Sequence, residues 1–246
     1  MIDLHSHVLP GLDDGVATLA EAVELCEAAA ADGIEVLAAT PHVREDYPTT
    51  PDEMERALGE VQRAADGTVR VIAGGELDLA ELDRPQEELR RFCLGGTNRL
   101  LVETPYAGWP LDLPDKLFRL SLAGFSAVLA HPERNRDVQQ RPELLEPVVA
   151  GGTLVQLTAA SLDGRFGRTA RSCAFDLLDR ELAHLVASDA HAPSLRAVGM
   201  SGAAEAIGDE ELARWLTLRV PRAILAETPV PPRPPKRPRR RFRFLR

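Results

Sequence analysis

Five of the six histidines in this 246-residue chain, His5, His7, His42, His131 and His191, sit at or just past the C-terminal end of a short apolar run of β-strand character. Acidic residues hold the equivalent place after other runs: Glu76, Glu103 and Asp189. Imidazole and carboxylate without thiolate suit Zn²⁺, Mn²⁺ or Fe²⁺ rather than a soft metal or the all-oxygen cage of Ca²⁺. His5 and His7 are separated by one residue, so on an extended strand both point to one side and can grip a single ion. The polar residues begin at positions 5, 42, 76, 103, 131 and 189, and most of the intervals are close to the length of a βα unit, about 30 residues. Five strands in succession each deliver a polar residue. The sixth ends in Gln156-Leu157-Thr158 with no strong ligand, and the seventh delivers Asp189 and His191. In a βα-barrel the C-terminal ends of all strands converge on one face, where such folds keep their active sites. His184 begins its run instead, which puts it at the opposite face in a structural role.

The elements that must position these residues follow from periodicity. Seven strands are expected: Ile2–His5, Ile34–Ala39, Val69–Ala73, Leu100–Val102, Ser126–Ala130, Leu154–Leu157 and Leu185–Ala187. Several are apolar at consecutive positions, as parallel strands buried on both faces require. Between them lie helices with clear start signals. Thr18 and Glu21 form a capping box before a stripe of Leu19, Ala22, Val23, Cys26 and Ala30, and Gly33 ends the helix. Thr50, Pro51 and Glu53 repeat the grammar before Met54, Ala57, Leu58, Val61 and Ala65. Strand–helix alternation with short links predicts an α/β fold with a parallel sheet, open or closed into a barrel. Residues 1–228 read as one domain. From Pro229 a Pro/Arg-rich basic tail follows, whose prolines prevent a helix and whose charge prevents a core, so disorder is expected over 229–246.

Composition narrows the function classes. The chain has 29 Lys and Arg against 38 Asp and Glu, a net charge of −9. Eight of the basic residues and no acidic one fall between Arg233 and Arg246, leaving 21 against 38 in the first 232 residues, a balance of −17. The body should repel nucleic acid, and only the tail could attract an anionic membrane or an acidic partner. The longest uncharged run, Pro147–Leu162, has 16 residues, short of the roughly 20 a membrane helix needs. Asp3 and His5 interrupt any secretory signal, and Cys26, Cys93 and Cys173 are too few and scattered for a disulfide framework, so the cytoplasm is the expected compartment. Cys93 and Arg99 carry the C-x5-R spacing of cysteine-dependent phosphatases. There, however, a strand feeds the Cys and a helix follows it, whereas here a helical PQEELRRF precedes Cys93 and the strand RLLVE begins at Arg99; Gly95-Gly96 reads as a link.

The blocks MIDLHSHVLPGLDDG at 1–15, TPH at 40–42, GGEL at 74–77, LLVETP at 100–105, LAHPER at 129–134 and ASDAH at 187–191 resemble the PHP superfamily, named for polymerase and histidinol phosphatase. Asp-Asp-Gly shortly after His-Ser-His, with VETP and HPER, is closest to the CpsB/CapC-type tyrosine-protein phosphatases of bacterial capsule and exopolysaccharide synthesis. The match runs in order from residue 1 to about residue 200.

The resemblance implies a distorted seven-stranded (β/α)7 barrel holding three divalent metal ions, with manganese expected and zinc or iron as alternatives. His5, His7, Glu76 and Asp189 would hold one ion, Glu76 would bridge to a second held by Glu103 and His131, and Asp14, His42 and His191 would hold the third. Asp13 competes with Asp14, because Asp-Asp-Gly is also an ordinary turn. Arg134 and Arg196 resemble the family's phosphate-contacting arginines, and Arg suits a bidentate grip on phosphate. The implied reaction is hydrolysis of a phosphotyrosine protein, a membrane-associated bacterial tyrosine kinase, by a hydroxide shared between two metals. Such an enzyme works in the cytoplasm or peripherally at the inner face of the membrane. A small-molecule phosphatase of the histidinol-phosphatase kind is the alternative, and an inactive metal-binding adaptor a more remote one. Short loops such as VREDYP after His42 suit an open mouth and a protein tail.

Overall fold

The computed structural model describes residues 1–194 and 198–235. Ten β segments are present among these residues: β1 (Ile2–Ser6), β2 (Val36–Ala39), β3 (His42–Arg44), β4 (Tyr47–Pro48), β5 (Arg70–Ala73), β6 (Glu76–Leu77), β7 (Arg99–Glu103), β8 (Ser126–Ala130), β9 (Leu154–Thr158) and β10 (Leu185–Ala187). They occupy the seven expected strand positions, two of which are split, plus one short hairpin strand.

The splits have local causes. Pro41 has no N–H to donate, so β2 ends before it and the chain resumes as β3. Gly74 and Gly75 separate β5 from β6. A Cβ on Gly74 would lie 2.9 Å from the Thr40 side chain, and one on Gly75 would lie 2.7 Å from Phe92, so only glycine lets the strand pass. VREDYP is not a loop: β3 turns back into β4 as an antiparallel hairpin that pairs Arg44 with Tyr47.

Pairing is otherwise parallel. β1 pairs with β2 and β2 with β5; β3, continuing β2, pairs with β6, which continues β5; then β7, β8, β9 and β10 follow in order. A bridge between Ser6 and Ala190 joins β10 back to β1, supported by Asp189 N–H donating to the His5 carbonyl and His7 N–H to the Ala190 carbonyl, each at 2.9 Å. The neighbours therefore run in a ring, compatible with the expected distorted barrel. Consecutive residues such as Leu100, Leu101 and Val102 are all buried, the pattern of a parallel sheet covered on both faces.

Both capping boxes form, at Thr18/Glu21 before helix Leu19–Ala31 and at Thr50/Glu53 before helix Pro51–Ala64. The second helix buries Met54, Ala57, Leu58, Val61 and Ala65 as its stripe predicts. The first is rotated by about one position: Ala22, Leu25, Cys26 and Ala29 are buried, while Leu19 is exposed. The body's contacts extend past residue 228. Trp215 Nε1 donates to the Pro231 carbonyl at 2.9 Å, and the Arg233 guanidinium donates to the carbonyls of Ala183 and Leu178 while lying over the Trp215 ring. Ala183 precedes β10, so this anchor lies at the N-terminal end of the strands. The remainder of the basic segment, 236–246, lies outside the described residues. Among those described, no helix is long and apolar enough to cross a membrane.

Candidate metal centre

Strand register is what assembles the site. His42 and Glu76 are direct partners across β3 and β6, and Glu103 closes β7 beside Ala130, the residue before His131. His5 and His7 leave β1 on one face, next to Asp189 through the bridge that joins β1 to β10. Two of the four non-glycine residues with positive φ among those described are candidate ligands, His131 (φ 36°) and Asp189 (φ 55°). Left-handed backbone at such residues costs energy and is concentrated where function demands a side-chain direction.

All nine predicted ligands come together. His5 Nε2 and His7 Nε2 lie 3.2 Å apart. His5 Nε2 is 3.1 Å from Glu76 Oε2 and 3.2 Å from Asp189 Oδ1, and His7 Nε2 is 3.4 and 3.3 Å from the same two atoms. Four tetrahedral donors at ordinary Zn–N and Zn–O distances are about 3.3 Å from one another, so this set has the size of a metal cage. The remaining donors overlap it in further groups: His5, Glu76 and His131; His42, Glu76 and Glu103; and His7, Asp14, His42 and His191. The grouping differs from the implied partition in several respects: His5 also joins Glu76 and His131, and His7 joins Asp14, His42 and His191. Glu103 groups with His42, whose Nδ1 lies 3.6 Å from it, while His131 Nε2 contacts Glu76 Oε1 at 2.8 Å.

Unsatisfied atoms point the same way. Glu76 Oε2 and His42 Nδ1 are buried and make no hydrogen bond, although they are 3.0 Å apart. Buried polar atoms rarely go without a partner, and atoms that converge without bonding to each other fit a cation between them. Electrostatics agrees. Burial favours neutral imidazole at His5, but the carboxylates of Glu76 and Asp189 outweigh it and lift the ring to about 9. Burial is likewise outweighed at Glu76, held well below the usual carboxylate range by His5, His131 and His42. Burial and the Glu76 charge push Glu103 up. Too many buried carboxylates for the available protons is the condition that a divalent ion relieves, releasing the imidazolium protons as it binds.

Residues beyond the nine candidate ligands hold this arrangement. Asp13 accepts from His7 Nδ1 at 2.7 Å and from the His42 and Gly15 N–H groups at 2.9 Å each. Burial would raise its pKa, but the His7 contact brings it down to about 2. The Asp-Asp pair thus divides: Asp13 braces His7 from behind, while Asp14 faces His42 Nε2 and His191 Nε2 at 3.5 and 3.4 Å. The sixth strand is not idle, because Gln156 Oε1 contacts His5 Nδ1 at 3.1 Å, fixing the ring so that Nε2 faces the site. Glu133, fully buried within HPER, accepts from Thr158 N–H and Ser161 Oγ. Burial raises its pKa. A buried polar side chain within an apolar parallel strand was the signal for Gln156; Glu133 had none outside its motif.

The candidate ligands open onto a cleft of about 630 Å³, whose lining includes Arg44, Tyr106, Arg134, Arg165 and Phe166. Arg134 Nη1 donates to Asp189 Oδ2 at 2.6 Å. Arg44, which the sequence reading missed, shares the face of β3 with His42 through the i, i+2 alternation and donates to Glu103 at 3.1 and 3.3 Å. Arg196 lies outside the described residues. His184 is away from the cleft, its Nδ1 accepting from Val155 N–H. Cys93 is buried, its thiol donates to the Leu89 carbonyl, and burial pushes it up to about 12. An inaccessible neutral thiol cannot be a nucleophile at neutral pH.

Comparison with known proteins places this geometry. The family model described as "Capsular polysaccharide synthesis, CpsB/CapC" matches residues 1–226. The tyrosine-protein phosphatase YwqE of Bacillus subtilis (strain 168) is 34% identical over 196 residues, covering 78% of this chain and 77% of its own. The tyrosine-protein phosphatase CpsB of Streptococcus agalactiae serotype III (strain NEM316) is 27% identical over 206 residues, covering 78% and 83%. A crystal structure from work on YwqE of B. subtilis and CpsB of Streptococcus pneumoniae, described as unique metal-dependent tyrosine phosphatases, superposes with a TM-score of 0.85 at 31% identity, over 96% of this chain and all of that one. At 15% identity and a TM-score of 0.55, a protein from Acinetobacter baumannii described as a "probable 2-pyrone-4,6-dicarboxylic acid hydrolase" shares the fold alone. The chain belongs to the CpsB/CapC family of capsular polysaccharide synthesis.

Proposed function

We propose that this protein is a metal-dependent protein-tyrosine phosphatase that hydrolyses the phosphotyrosine of a bacterial tyrosine kinase controlling capsule or exopolysaccharide synthesis. The observation that carries this reading is the convergence of nine His, Asp and Glu side chains at the floor of a cleft walled by arginine. His5, His7, Asp14, His42, Glu76, Glu103, His131, Asp189 and His191 would hold the ions, three in number by family resemblance, with manganese first and zinc or iron as alternatives. Bound divalent ions supply positive charge to the phosphoryl oxygens and make water a better nucleophile at neutral pH.

The chain's own groups do the rest. Asp189 orients Arg134 at the cleft wall, where its other N–H groups can grip a phosphoryl oxygen and offset charge as the ester bond lengthens. Arg196 would add a second grip. Asp13 and Gln156 hold His7 and His5 in the tautomer that turns Nε2 inward. A phenolate leaves readily, its conjugate acid having a pKa of about 10, so no dedicated proton donor is required for a phosphotyrosine. The basic tail would draw the enzyme to an anionic membrane or an acidic partner. Its anchor at Arg233 is remote from the metal-binding end, leaving the cleft free to face a substrate. Turnover of a phosphotyrosine peptide compared with histidinol phosphate by the manganese-loaded protein tests the reading. Preference for the peptide is expected, and preference for histidinol phosphate would reject it.

A further inference from the structure

Two aromatic rings stand at the mouth of the cleft while its floor is buried. Tyr106 and Phe166 are 48% and 46% exposed, whereas His131 and Asp189 beneath them are 1% and 7% exposed. The Arg134 guanidinium carbon lies 4.8 Å from the centre of the Tyr106 ring and 4.7 Å from that of Phe166. The Tyr106 ring is parallel to the His131 imidazole within 4°, with centroids 6.2 Å apart. The rings come from different segments: Tyr106 follows β7, and Phe166 precedes helix Gly167–Asp179. In a chain with only two Trp, two Tyr and seven Phe, two half-exposed rings lining one cleft, at 4.8 and 4.7 Å from its arginine, form a local apolar surface with a polar floor.

Resting on the phosphatase reading, we propose that Tyr106 and Phe166 form a collar that holds the aryl ring of the phosphoester while its phosphate reaches Arg134 and the floor, and that this collar makes the enzyme select aryl over alkyl phosphates. The chemistry is complementary at both ends. A phosphotyrosine carries its phosphate at the far end of a rigid ring, which spans the distance from a rim to a buried floor. A serine phosphate would have to bring its peptide backbone down between the rings. Stacked and edge-on aromatic contacts add to the area they bury.

The competing role for these rings is to position Arg134 alone, and binding of non-hydrolysable phosphonates separates the two. Phenylphosphonate and methylphosphonate are titrated calorimetrically into the manganese-loaded full chain and into Tyr106→Leu, Phe166→Leu and the double variant. The wild type should bind phenylphosphonate about tenfold more tightly than methylphosphonate. The double variant should bring that ratio close to one while keeping the affinity for methylphosphonate, which also shows that the site remains folded. Equal affinities in the wild type, a preserved ratio in the double variant, or parallel loss of both ligands would each overturn the collar. Turnover of a phosphotyrosine peptide is recorded on the same samples. Its absence beside an intact aryl preference would reject the phosphatase reading while supporting the collar.

Discussion

Asp13 and Asp14 are adjacent and chemically identical, yet the structure gives them different work, and their asparagine variants should fail differently. The Asp13 carboxylate accepts from His7 Nδ1 at 2.7 Å and from His42 N–H at 2.9 Å through one oxygen, and from Gly15 N–H at 2.9 Å through the other. In Asp13→Asn one of those positions becomes an NH₂ group. Facing His7 and His42 it would oppose two donors, and facing Gly15 it would oppose one. Leaving such buried groups unpaired costs about 1–3 kcal/mol of metal-free stability. Losing a carboxylate behind a liganding histidine weakens metal binding by about 10- to 100-fold. That is about 1.4–2.7 kcal/mol. Asp14 is half exposed and faces ring nitrogens of His42 and His191 at 3.5 and 3.4 Å, so Asp14→Asn should leave metal-free stability almost unchanged and remove one ion. Urea unfolding in chelator, competition against a chromophoric chelator and plasma mass spectrometry read the three quantities. Asp13→Asn should keep the ion count with weaker binding, and Asp14→Asn should lose one ion. An exchange of these phenotypes would refute the division of roles.

Other expectations follow from the same geometry. Arg134→Lys keeps the charge but loses the planar fork that reaches Asp189 and both rings, and should lower kcat/KM on a phosphotyrosine peptide by about 10²–10³; a change below threefold would remove Arg134 from the machinery. Cys93→Ser should retain most of the turnover, whereas abolition in a folded protein would revive the thiol. His184 accepts a backbone hydrogen bond, and burial, with Arg233 and Arg99, holds its pKa down to about 4. The unfolded ring binds its proton near 6.5, so this stabilising contribution is complete above that pH and is lost as pH falls toward 4. It amounts to about 2–3 kcal/mol by pH 4.5. Urea unfolding of the metal-free wild type and of His184→Asn at pH 7 and 4.5 should show a smaller pH dependence in the variant, and identical dependence would contradict the assignment.

Much of this was legible because ligands at strand ends need only strand order, and strand order follows from apolar runs. His42 and Glu76 fall opposite each other because parallel strands entering one ring reach the same level, and no long-range detail was needed to expect it. What escaped the sequence depends on register and packing. The break at Gly74-Gly75 arises from close approach to Thr40, Leu94 and Phe92, side chains distant along the chain. The Asp13 and Asp14 roles depend on which carboxylate turns back under β1, and Gln156 acquires meaning only once β9 is known to pass behind His5. Arg44 was hidden because VREDYP resembles a loop, whereas its hairpin puts the guanidinium on the His42 face. The rotation of the first helix is read from its burial: Leu19, its first residue, is 39% exposed, while Ala22, Leu25, Cys26 and Ala29 face the core.

The central claim is that catalysis depends on ions held by the nine converging side chains. The most direct measurement is metal content by plasma mass spectrometry on the purified full chain, with phosphotyrosine-peptide turnover followed through chelation and metal return in the same sample. Three divalent ions per chain are expected, with turnover lost in step with their removal and restored by manganese. Undiminished turnover in protein stripped of metal would contradict the account.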